Sequence, residues 1–430
     1  MRKTWSSMVN IRILLFHNIC SPKAYLRIFL LSSFIVLLVI IFNSSVDKRR
    51  PQKTLYTKLV SRNVRLKDMF HIMSDDDKCT CEHNGTLYDL CYRSPNSKRL
   101  HGLRFSCDSI KYLQVFGLLN DQSRLVVSDL NRRIDSKPII VTASSSDHWE
   151  ESLAHIESVL DLWPESKVIF YDLGLTSQEE EEAKLMFKVE YRKFNFEPYP
   201  SHVRDLTVYS WKPLAIAEVL KEEEAIWWMD SSIQVKEAKI PSVEQLMNCR
   251  SRRDSAMKTK VFDIEQWKTE EFRNGKAVNR HKNVTDCKKS SYLLFGRSGH
   301  SILAATHPGM YKYITTDLAT PERQSLEMYD ANIMFIVRTK ETMDSIMKWM
   351  VLCATERECI SPNGAQLICS FSEDRISYAG CHRYDQSLVN LLLANTFSYD
   401  YQYYTNSYTG FYNIERTETY DFDPQLFDWP

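Results

Sequence analysis

The stretch AIWWMDSSI, Ala225 to Ile233, ends a run of large apolar residues with an acid and two hydroxyl residues. The apolar run predicts a buried strand, and alternation along it places Trp228 and Asp230 on one face. A carboxylate at the end of a buried strand costs several kcal/mol of folding free energy unless a partner compensates it. The stretch therefore predicts that Asp230 meets either a structural partner or a ligand.

Polar residues also follow the first two strands of the same predicted sheet. The segments KPIIVTAS and KVIFYDLGL predict these strands, and Ser144, Ser145, Asp147, His148 and Asp172 lie at or just beyond their carboxyl ends. In an open α/β sheet, ligands bind beyond the carboxyl ends of the strands, where loops and helix N-termini meet. These five residues are therefore candidate ligand-binding residues.

Lys212 stands immediately before Pro213, which is favoured as the first residue of a helix. A lysine at a helix N-terminus opposes the helix dipole, so a nearby anion would help to explain it. The alternative is a surface lysine whose aliphatic stem packs on Trp211.

The segment CHRYDQSLVNLLLAN combines a histidine, an arginine and an acid before an apolar helix. His382 could bind a metal, Arg383 could bind a phosphate, and Asp385 could act as a base. The alternative for Asp385 is an ordinary N-cap of the helix that follows.

Apolar strands alternate with helical segments from residue 137 to residue 430, which predicts an α/β domain with a mostly parallel sheet flanked by helices. Helices are predicted for HWEESLAHIESVLDLW, TSQEEEEAKLMF, PLAIAEVLKEEE, ETMDSIMKWMVLCATE and DQSLVNLLLANTF. The second of them starts with Thr176 and Glu179 in capping-box spacing. Trp227 and Trp228 are predicted to be core residues, and the tyrosine-rich tail is predicted to wrap the surface.

The segment before this domain predicts a membrane anchor and a stem. We predict a cytoplasmic tail over 1–24, a transmembrane signal anchor over 25–43, a stem over 44–78 and a cysteine-containing preamble over 79–136. A cleaved signal peptide is the alternative for the apolar run, but no small-residue cleavage site follows it. The basic flank preceding the run favours a cytosolic N-terminus and a lumenal body.

Sequons and cysteines agree with this orientation. The sequons at Asn84 and Asn283 lie beyond the predicted anchor, as do ten of the 11 cysteines, while the sequon at Asn43 lies at the end of the anchor, close to the membrane. An even set of cysteines in the secretory pathway predicts disulfides, whereas a zinc site of Cys79, Cys81, Cys91 and Cys107 would have poor ligand spacing. Cys20 lies on the cytosolic side, as a palmitoylation site or a free thiol.

Charge and glycine content exclude several function classes. Lys plus Arg and Asp plus Glu are equal at 55 each, so no overall field favours nucleic acid. With 11 glycines the chain contains neither G-x-G-x-x-G nor G-x-x-x-x-G-K-[ST], which argues against a dinucleotide dehydrogenase and a Walker ATPase. A secretory hydrolase is disfavoured because the chain lacks G-x-S-x-G and H-E-x-x-H.

Several segments together resemble a known family. VTASSSDHWEESL, VIFYDLGL, EPYPSHVRDLTVYSWKPLAIAEVL, IWWMDSSI, THPGMYKYI and HRYDQSLVNLLLAN are similar to the nematode-expanded family named domain of unknown function 1647. The similarity extends from about Cys79 to Tyr404, and the family has no established activity. The anchor, stem and α/β body also resemble Golgi glycosyltransferases of the GT-A type, which have a Rossmann-like sheet.

The GT-A resemblance implies roles for the candidate residues. GT-A enzymes hold a divalent metal on the donor diphosphate with an Asp-x-Asp motif, and glycogenin-like members add a lysine before that strand and a histidine near the C-terminus. Asp230, Lys212 and His382 stand in these three places, with Ser232 replacing the second acid. Dependence on Mn²⁺ or Mg²⁺ therefore stays open.

By this resemblance the donor is a nucleotide sugar and the acceptor a glycan or glycoprotein. Asp230 and His382 would bind the metal or the sugar, Lys212 and Arg383 the phosphates, and Asp385 would be the base. The nucleotide would be held by the residues after the first two strands, Ser144, Ser145, Asp147, His148 and Asp172. The missing second acid favours an alternative, an inactive lumenal or cell-surface binding protein on a transferase-like scaffold. The donor sugar, the acceptor, and retention or inversion are not determined by the sequence.

Overall fold

The computed structural model describes residues 79–96, 101–119, 139–238, 290–406 and 410–416. The predicted tail, anchor and stem lie outside these residues, as do Cys20, Asn43, Cys249, Asn283 and Cys287. Within the described ranges, no helix has both the length and the apolar character needed to cross a bilayer.

Strands and helices alternate from residue 139 to residue 229, as the sequence predicts for this part of the chain. The strands are β1 (Thr80–His83), β2 (Thr86–Asp89), β3 (Cys91–Arg93), β4 (His101–Arg104), β5 (Ile139–Ser144), β6 (Lys167–Asp172), β7 (Val189–Lys193), β8 (Ala225–Met229), β9 (Ile233–Val235), β10 (Tyr292–Leu294), β11 (Arg297–Ser301), β12 (Glu327–Tyr329), β13 (Ile333–Val337) and β14 (Tyr412–Ile414). The α-helices are α1 (Ile110–Val115), α2 (Trp149–Leu162), α3 (Ser177–Leu185), α4 (Trp211–Glu222), α5 (Pro321–Gln324), α6 (Lys348–Ala354), α7 (Arg357–Ile360) and α8 (Tyr384–Thr396).

A six-stranded, mostly parallel sheet forms the centre of the fold. Its strand order is β10-β13-β8-β5-β6-β7. Strands β5, β6, β7 and β8 run parallel, while β13 is antiparallel to both β8 and β10. The chain proceeds from β5 outward to β7 and then returns to add β8 on the other side of β5. The strand order therefore reverses between β5 and β8, which is where α/β sheets bind ligands.

Both faces of the central strands are buried, which explains their nearly continuous apolar sequences. Val141, Ile169 and Trp228 pack into one core with helices α4, α6 and α8. Their neighbours on the opposite face, including Ile140 and Trp227, pack into a second core with α2. The prediction that Trp227 and Trp228 are core residues is confirmed, with 2% and 0% of their surface exposed.

Local sequence signals account for the ends of some helices but not of others. The capping box predicted at Thr176 is present, with both reciprocal hydrogen bonds to Glu179. Helix α8, by contrast, has Arg383 as its N-cap residue, so Asp385 is the second helical residue and the N-cap alternative for it is wrong. The tyrosine-rich tail also departs from its prediction, since residues 412–414 form strand β14 paired with β9.

The cysteine-containing segment packs against the α/β domain. Leu90, Tyr92 and Phe105 belong to the same core as α4 and α8, and the Tyr92 ring meets the Trp349 ring edge to face at 5.1 Å. Four disulfides are present in the described chain, joining Cys79 to Cys91, Cys81 to Cys107, Cys353 to Cys359 and Cys369 to Cys381. The cysteines of the rejected zinc alternative are thus joined in two of these disulfides.

We expect peptide mapping of the unreduced full-length protein to recover these four linked pairs. Alkylation before reduction should leave the eight cysteines unlabelled, because each sulfur is already bonded to its partner. Alkylation after reduction and unfolding should label all eight, which provides the control. Native labelling of most of them, or a different pairing, would contradict the described fold of these segments.

Candidate functional site

Ser144, Asp172 and Asp230 lie at or just after the carboxyl ends of β5, β6 and β8, along one edge of the sheet. Ser144 lies opposite Asp172 in the β5–β6 register, and Asp230 immediately follows β8. Because the strand order reverses between β5 and β8, a crevice is expected beyond these two strand ends. Asp230, directly after β8, lies where this crevice is expected.

Asp230 is held by the backbone and by two side chains. Its amide donates to the carbonyl oxygen of Asn332 at 2.8 Å. Its Oδ1 accepts hydrogen bonds from Lys212 Nζ and Trp228 Nε1, both at 2.8 Å. The side chain still has 30% of its surface exposed. Asp230 thus has a structural partner, while its exposed portion can meet a ligand.

Lys212 lies beneath Asp230 with only 4% of its side chain exposed. Its ammonium contacts Asp230 Oδ1, Asp385 Oδ2 at 3.3 Å and the Ala331 carbonyl oxygen at 3.3 Å. The rings of Tyr209 and Trp228 lie 5.6 and 5.5 Å from Nζ, which favours a cation there.

These contacts determine the charge of Lys212 and its chemical role. Burial would lower the pKa of Lys212, but the carboxylates of Asp230 and Asp385 outweigh it and raise the pKa above its usual value. Its three N–H donors are matched by three oxygen acceptors, so contact with a phosphate would require breaking one of these interactions. The arrangement does not support the predicted phosphate role of Lys212, nor its alternative as a surface lysine.

Asp385 completes the cluster from the first turn of α8. Its side chain is 8% exposed. Burial raises the pKa of Asp385, while Lys212 opposes the rise. We call Lys212, Asp230 and Asp385 the lysine-centred triad. With one ammonium and two carboxylates its net charge is −1, and Asp230 is its more exposed member.

A second set of contacts joins the loop after β5 to the turn after β8. Glu151, on the first turn of α2, accepts from Ser231 Oγ at 3.3 Å and lies 3.4 Å from His148 Nδ1. Asp147 lies 3.6 Å from His148 Nε2 and accepts a short hydrogen bond from Ser145. His148 and Asp147 are exposed, so their predicted role as ligand-binding residues stays a prediction.

Asp172 and Ser144 are buried and engaged in loop structure. Asp172 Oδ1 accepts from the amides of Gly174 and Leu175 at 2.7 Å, and its Oδ2 accepts from Tyr191 at 2.7 Å. Ser144 Oγ donates to the Ser145 carbonyl oxygen at 2.9 Å. Direct nucleotide contact by either side chain would require these bonds to break, so we assign both residues to shaping the loops.

His382 is engaged on both ring nitrogens. Nδ1 accepts from the His307 amide at 3.2 Å, which leaves Nε2 to donate to the Ile360 carbonyl oxygen at 3.1 Å. Burial, reinforced by His307, lowers the pKa of His382 to about 3, so the ring is neutral. A metal could not bind His382 without displacing one of these partners.

The donor set around Asp230 therefore fits a divalent metal poorly. The Lys212 ammonium already contacts Asp230, and Ser232 offers a hydroxyl where the resemblance predicts a second acid. Among the described residues, the one group of three His, Cys, Asp or Glu ligand atoms close enough to share an ion is Cys79, Cys91 and His101. Two of these are joined in a disulfide.

Several polar residues near the triad had no signal in the sequence. The turn that supplies the Ala331 acceptor also contains Asp330, which accepts from Ser298 at 2.5 Å and from Gln386 at 3.4 Å. Glu151 lies three residues after His148 on the first turn of α2, and this spacing is the one pattern that could have marked it. Tyr209 has a φ of 52°, an uncommon value for a non-glycine residue.

A polar depression of about 370 Å³ lies elsewhere, on the cysteine-containing segment. It is lined by His83, Asn84, Thr86, Tyr88 and Gln114, among others. None of the candidate site residues borders it, so we do not assign it to the chemistry at Asp230.

Comparisons with known proteins find a family match over part of the chain and several distantly similar structures. Residues 78–217 match the family described as "Protein of unknown function (DUF1647)", which confirms the predicted resemblance. No curated protein matches the sequence. The galactosyltransferase LgtC, solved with donor and acceptor sugar analogues, is similar with a TM-score of 0.31 and 14% identity, covering 59% of this chain and 70% of its own.

Two further solved structures are eukaryotic glycosyltransferases. The mannosyltransferase Ktr4p from S. cerevisiae, solved with GDP, has a TM-score of 0.27 and 11% identity, with 58% of this chain and 71% of that chain covered. Mouse xyloside xylosyltransferase 1 has a TM-score of 0.28 and 9% identity, with 63% and 84% covered.

The triad predicts a large loss of stability for Lys212→Met. This change leaves Asp385 buried beside a second carboxylate without their shared cation, so the free energy of unfolding should fall by about 3–5 kcal/mol in urea titrations near pH 7. Lys340→Met provides a matched control, because Lys340 is exposed and its ion pair with Asp344, one helical turn away, should contribute little. The Lys212→Met, Asp385→Asn double variant should recover part of the loss. Equal losses for Lys212→Met and Lys340→Met would refute the structural role of the triad.

Buried neutral His382 predicts that stability decreases on mild acidification. The unfolded histidine binds a proton near pH 6.5, whereas the folded one resists protonation down to about pH 3. The folded pKa is thus depressed, and stability present above pH 6.5 is lost as the pH falls, by about 2 kcal/mol at pH 5 for one such group. His382→Gln, which keeps an acceptor and a donor but does not titrate, should make the urea-unfolding profile between pH 7 and pH 5 flatter. An unchanged slope would contradict the buried neutral state.

Proposed function

We propose that this protein is a glycosyltransferase that transfers a sugar from a nucleotide-sugar donor to a glycan or glycoprotein acceptor. The supporting observation is the lysine-centred triad, which combines an acid exposed at the crevice with a buried cation that fixes it. The crevice lies where the strand order reverses, a location that α/β sheets use for ligands. The GT-A resemblance of the Asp230 turn supports the choice of reaction class.

Transfer would break the bond between the anomeric carbon of the donor sugar and the diphosphate, and would form a bond from that carbon to the acceptor oxygen. The nucleoside diphosphate leaves with the electron pair of the broken bond. The acceptor hydroxyl loses a proton, and the triad has one carboxylate in excess of its lysine to receive it. Asp230 is its more exposed member, so we assign ligand contact to Asp230 and positioning to Lys212 and Asp385.

This assignment changes the predicted role of Asp385. A base must reach the proton it removes, and Asp385 is 8% exposed with Lys212 at 3.3 Å. Asp385 instead helps to keep Lys212 charged beneath Asp230. Mn²⁺ or Mg²⁺ would meet a poor donor set here, so we expect transfer to proceed with a chelator present.

We propose the lumen of the secretory pathway, including the Golgi, as the compartment, with one N-terminal anchor in the membrane. The four disulfides support an oxidising compartment. Asn84, in a sequon, lies with Gly85 between β1 and β2 at an exposed position that a glycosylation enzyme could reach.

A second candidate is an inactive binding protein on a transferase-like scaffold. The observation that favours it is Ser232 in place of a second acid, together with the engaged ring of His382. Such a protein would bind a nucleotide sugar without consuming it, so binding and turnover must be measured separately.

A panel of nucleotide sugars tests both candidates on the full-length protein, with Mn²⁺ or with EDTA. Binding is measured by calorimetry, and release of nucleoside diphosphate is measured in the presence of mixed glycan acceptors. We expect one donor to bind and be consumed, and Asp230→Asn to reduce its turnover by about 100-fold or more, because it removes the carboxylate that contacts the ligand and receives the acceptor proton.

Asp161→Asn, an exposed acid on α2, is the matched control and should retain full turnover. Donor binding without turnover would favour the inactive scaffold. Absence of any donor binding, or full turnover by Asp230→Asn, would overturn the proposed function.

A further inference from the structure

The C-terminal residues 410–416, which we call the C-terminal strap, cross the edge of the candidate site. Strand β14 in the strap pairs antiparallel with β9, so that Ile414 lies opposite Ile233. The Glu415 amide donates to the Ser232 carbonyl oxygen at 2.8 Å. This bond attaches the strap to the turn that begins with Asp230.

The strap is anchored by a buried aromatic side chain. Phe411 is fully buried and packs with the rings of Trp163, Trp227 and Phe295 at centroid distances of 5.7–6.2 Å. Its carbonyl oxygen also accepts from the Lys236 amide at 2.8 Å. The position of the residues that follow Phe411 is thus fixed by the core.

Arg416 extends this anchored segment by one residue beyond the Glu415–Ser232 bond. Its side chain is exposed and makes no hydrogen bond or ion pair with the part of the chain that the structure describes. Its neighbour Glu415 differs, because it pairs with Lys236 at 3.1 Å. The Arg416 guanidinium therefore remains available to a ligand.

The charge of Arg416 acts on Tyr209, which neighbours Lys212 of the lysine-centred triad. The Tyr209 ring lies 5.6 Å from Lys212 Nζ. Burial raises the pKa of Tyr209; Asp385 and Asp230 add to the rise, while Lys212 and Arg416 oppose it. Arg416 therefore acts on the same hydroxyl as the triad, and the Glu415–Ser232 bond holds its segment beside the Asp230 turn.

A diphosphate bound in this crevice needs a cationic partner. Lys212 has its donors engaged, and the donor set at Asp230 fits a metal poorly. The net charge of the triad is −1, which repels a phosphate rather than attracting it. A guanidinium can bind phosphate oxygens through two parallel hydrogen bonds.

We propose that Arg416 binds the diphosphate of the nucleotide donor, and that the C-terminal strap thereby contributes a binding residue to the site. This inference rests on the proposed function, because it requires a nucleoside diphosphate in the crevice. Arg416 would supply the positive charge that the carboxylates of Asp230 and Asp385 cannot provide to a phosphate. It is a binding residue on the donor side and takes no proton in the reaction.

Calorimetry with UDP, GDP, uridine and guanosine on the full-length protein tests the inference. We expect Arg416→Ala to weaken the binding of whichever diphosphate the unaltered protein binds by about tenfold, because it removes a charge-assisted contact. Binding of the matching nucleoside should stay unchanged, and Arg416→Lys should recover part of the lost affinity. The melting temperature should not move, since the exposed side chain supports no described contact.

Glu415→Ala is the matched control on the same strap. It removes a charged side chain but keeps the backbone bond to Ser232, so diphosphate affinity should be retained. Equal diphosphate affinity for Arg416→Ala and the unaltered protein would overturn the inference while leaving the proposed function intact. A loss seen in Arg383→Ala instead would overturn it in favour of the arginine before α8. Absence of diphosphate binding by the unaltered protein would refute the proposed function itself.

Discussion

One buried ammonium between two carboxylates holds the candidate site together. Lys212 comes from α4, Asp230 from the end of β8, and Asp385 from the first turn of α8, so two consecutive elements and a third distant in sequence meet at Nζ. The Ala331 carbonyl oxygen adds the turn before β13. Burying these charges costs free energy, which is tolerable because each proton of the ammonium meets an oxygen. The relative positions of the three elements are therefore restricted by a shared requirement for charge compensation.

This restriction also gives the crevice its chemical character. A triad with two acids and one base keeps a residual negative charge, and Asp230 presents it to solvent while Trp228 and Lys212 fix its Oδ1. The Lys212 ammonium thus lies on the buried side of Asp230 and not on its solvent-exposed side. An anionic ligand must obtain its counter-charge from another direction, and the strap offers one. The contribution of Arg416 proposed above would supply this counter-charge without a metal at Asp230.

The strands and most helices follow from periodicity, because their apolar residues can be assigned to buried faces without long-range information. The position of Asp230 at a strand end was predictable for the same reason. The partner of Asp230 was not predictable, because the sequence predicts Lys212 only as an anion ligand or as a surface residue. Asp385 lies 173 residues beyond Lys212, and only the packing of α8 against α4 and β8 brings them together. The strand-end position of Asp172 predicts a ligand contact, whereas its Oδ1 accepts hydrogen bonds from two amides of the loop that follows.

The turn Asp230-Ser231-Ser232 stands where the resemblance predicts an Asp-x-Asp motif, but its three residues contact other parts of the protein. Ser232 replaces an expected acid, yet its carbonyl oxygen accepts the Glu415 amide and so fixes the strap. Ser231 donates to Glu151 and connects the turn to α2. Asp230 is the one residue of the turn that belongs to the lysine-centred triad. Each residue of the turn thus has a separate partner, and the bond from Ser232 to Glu415 holds the C-terminal strap, with Arg416 as its next residue, beside the turn.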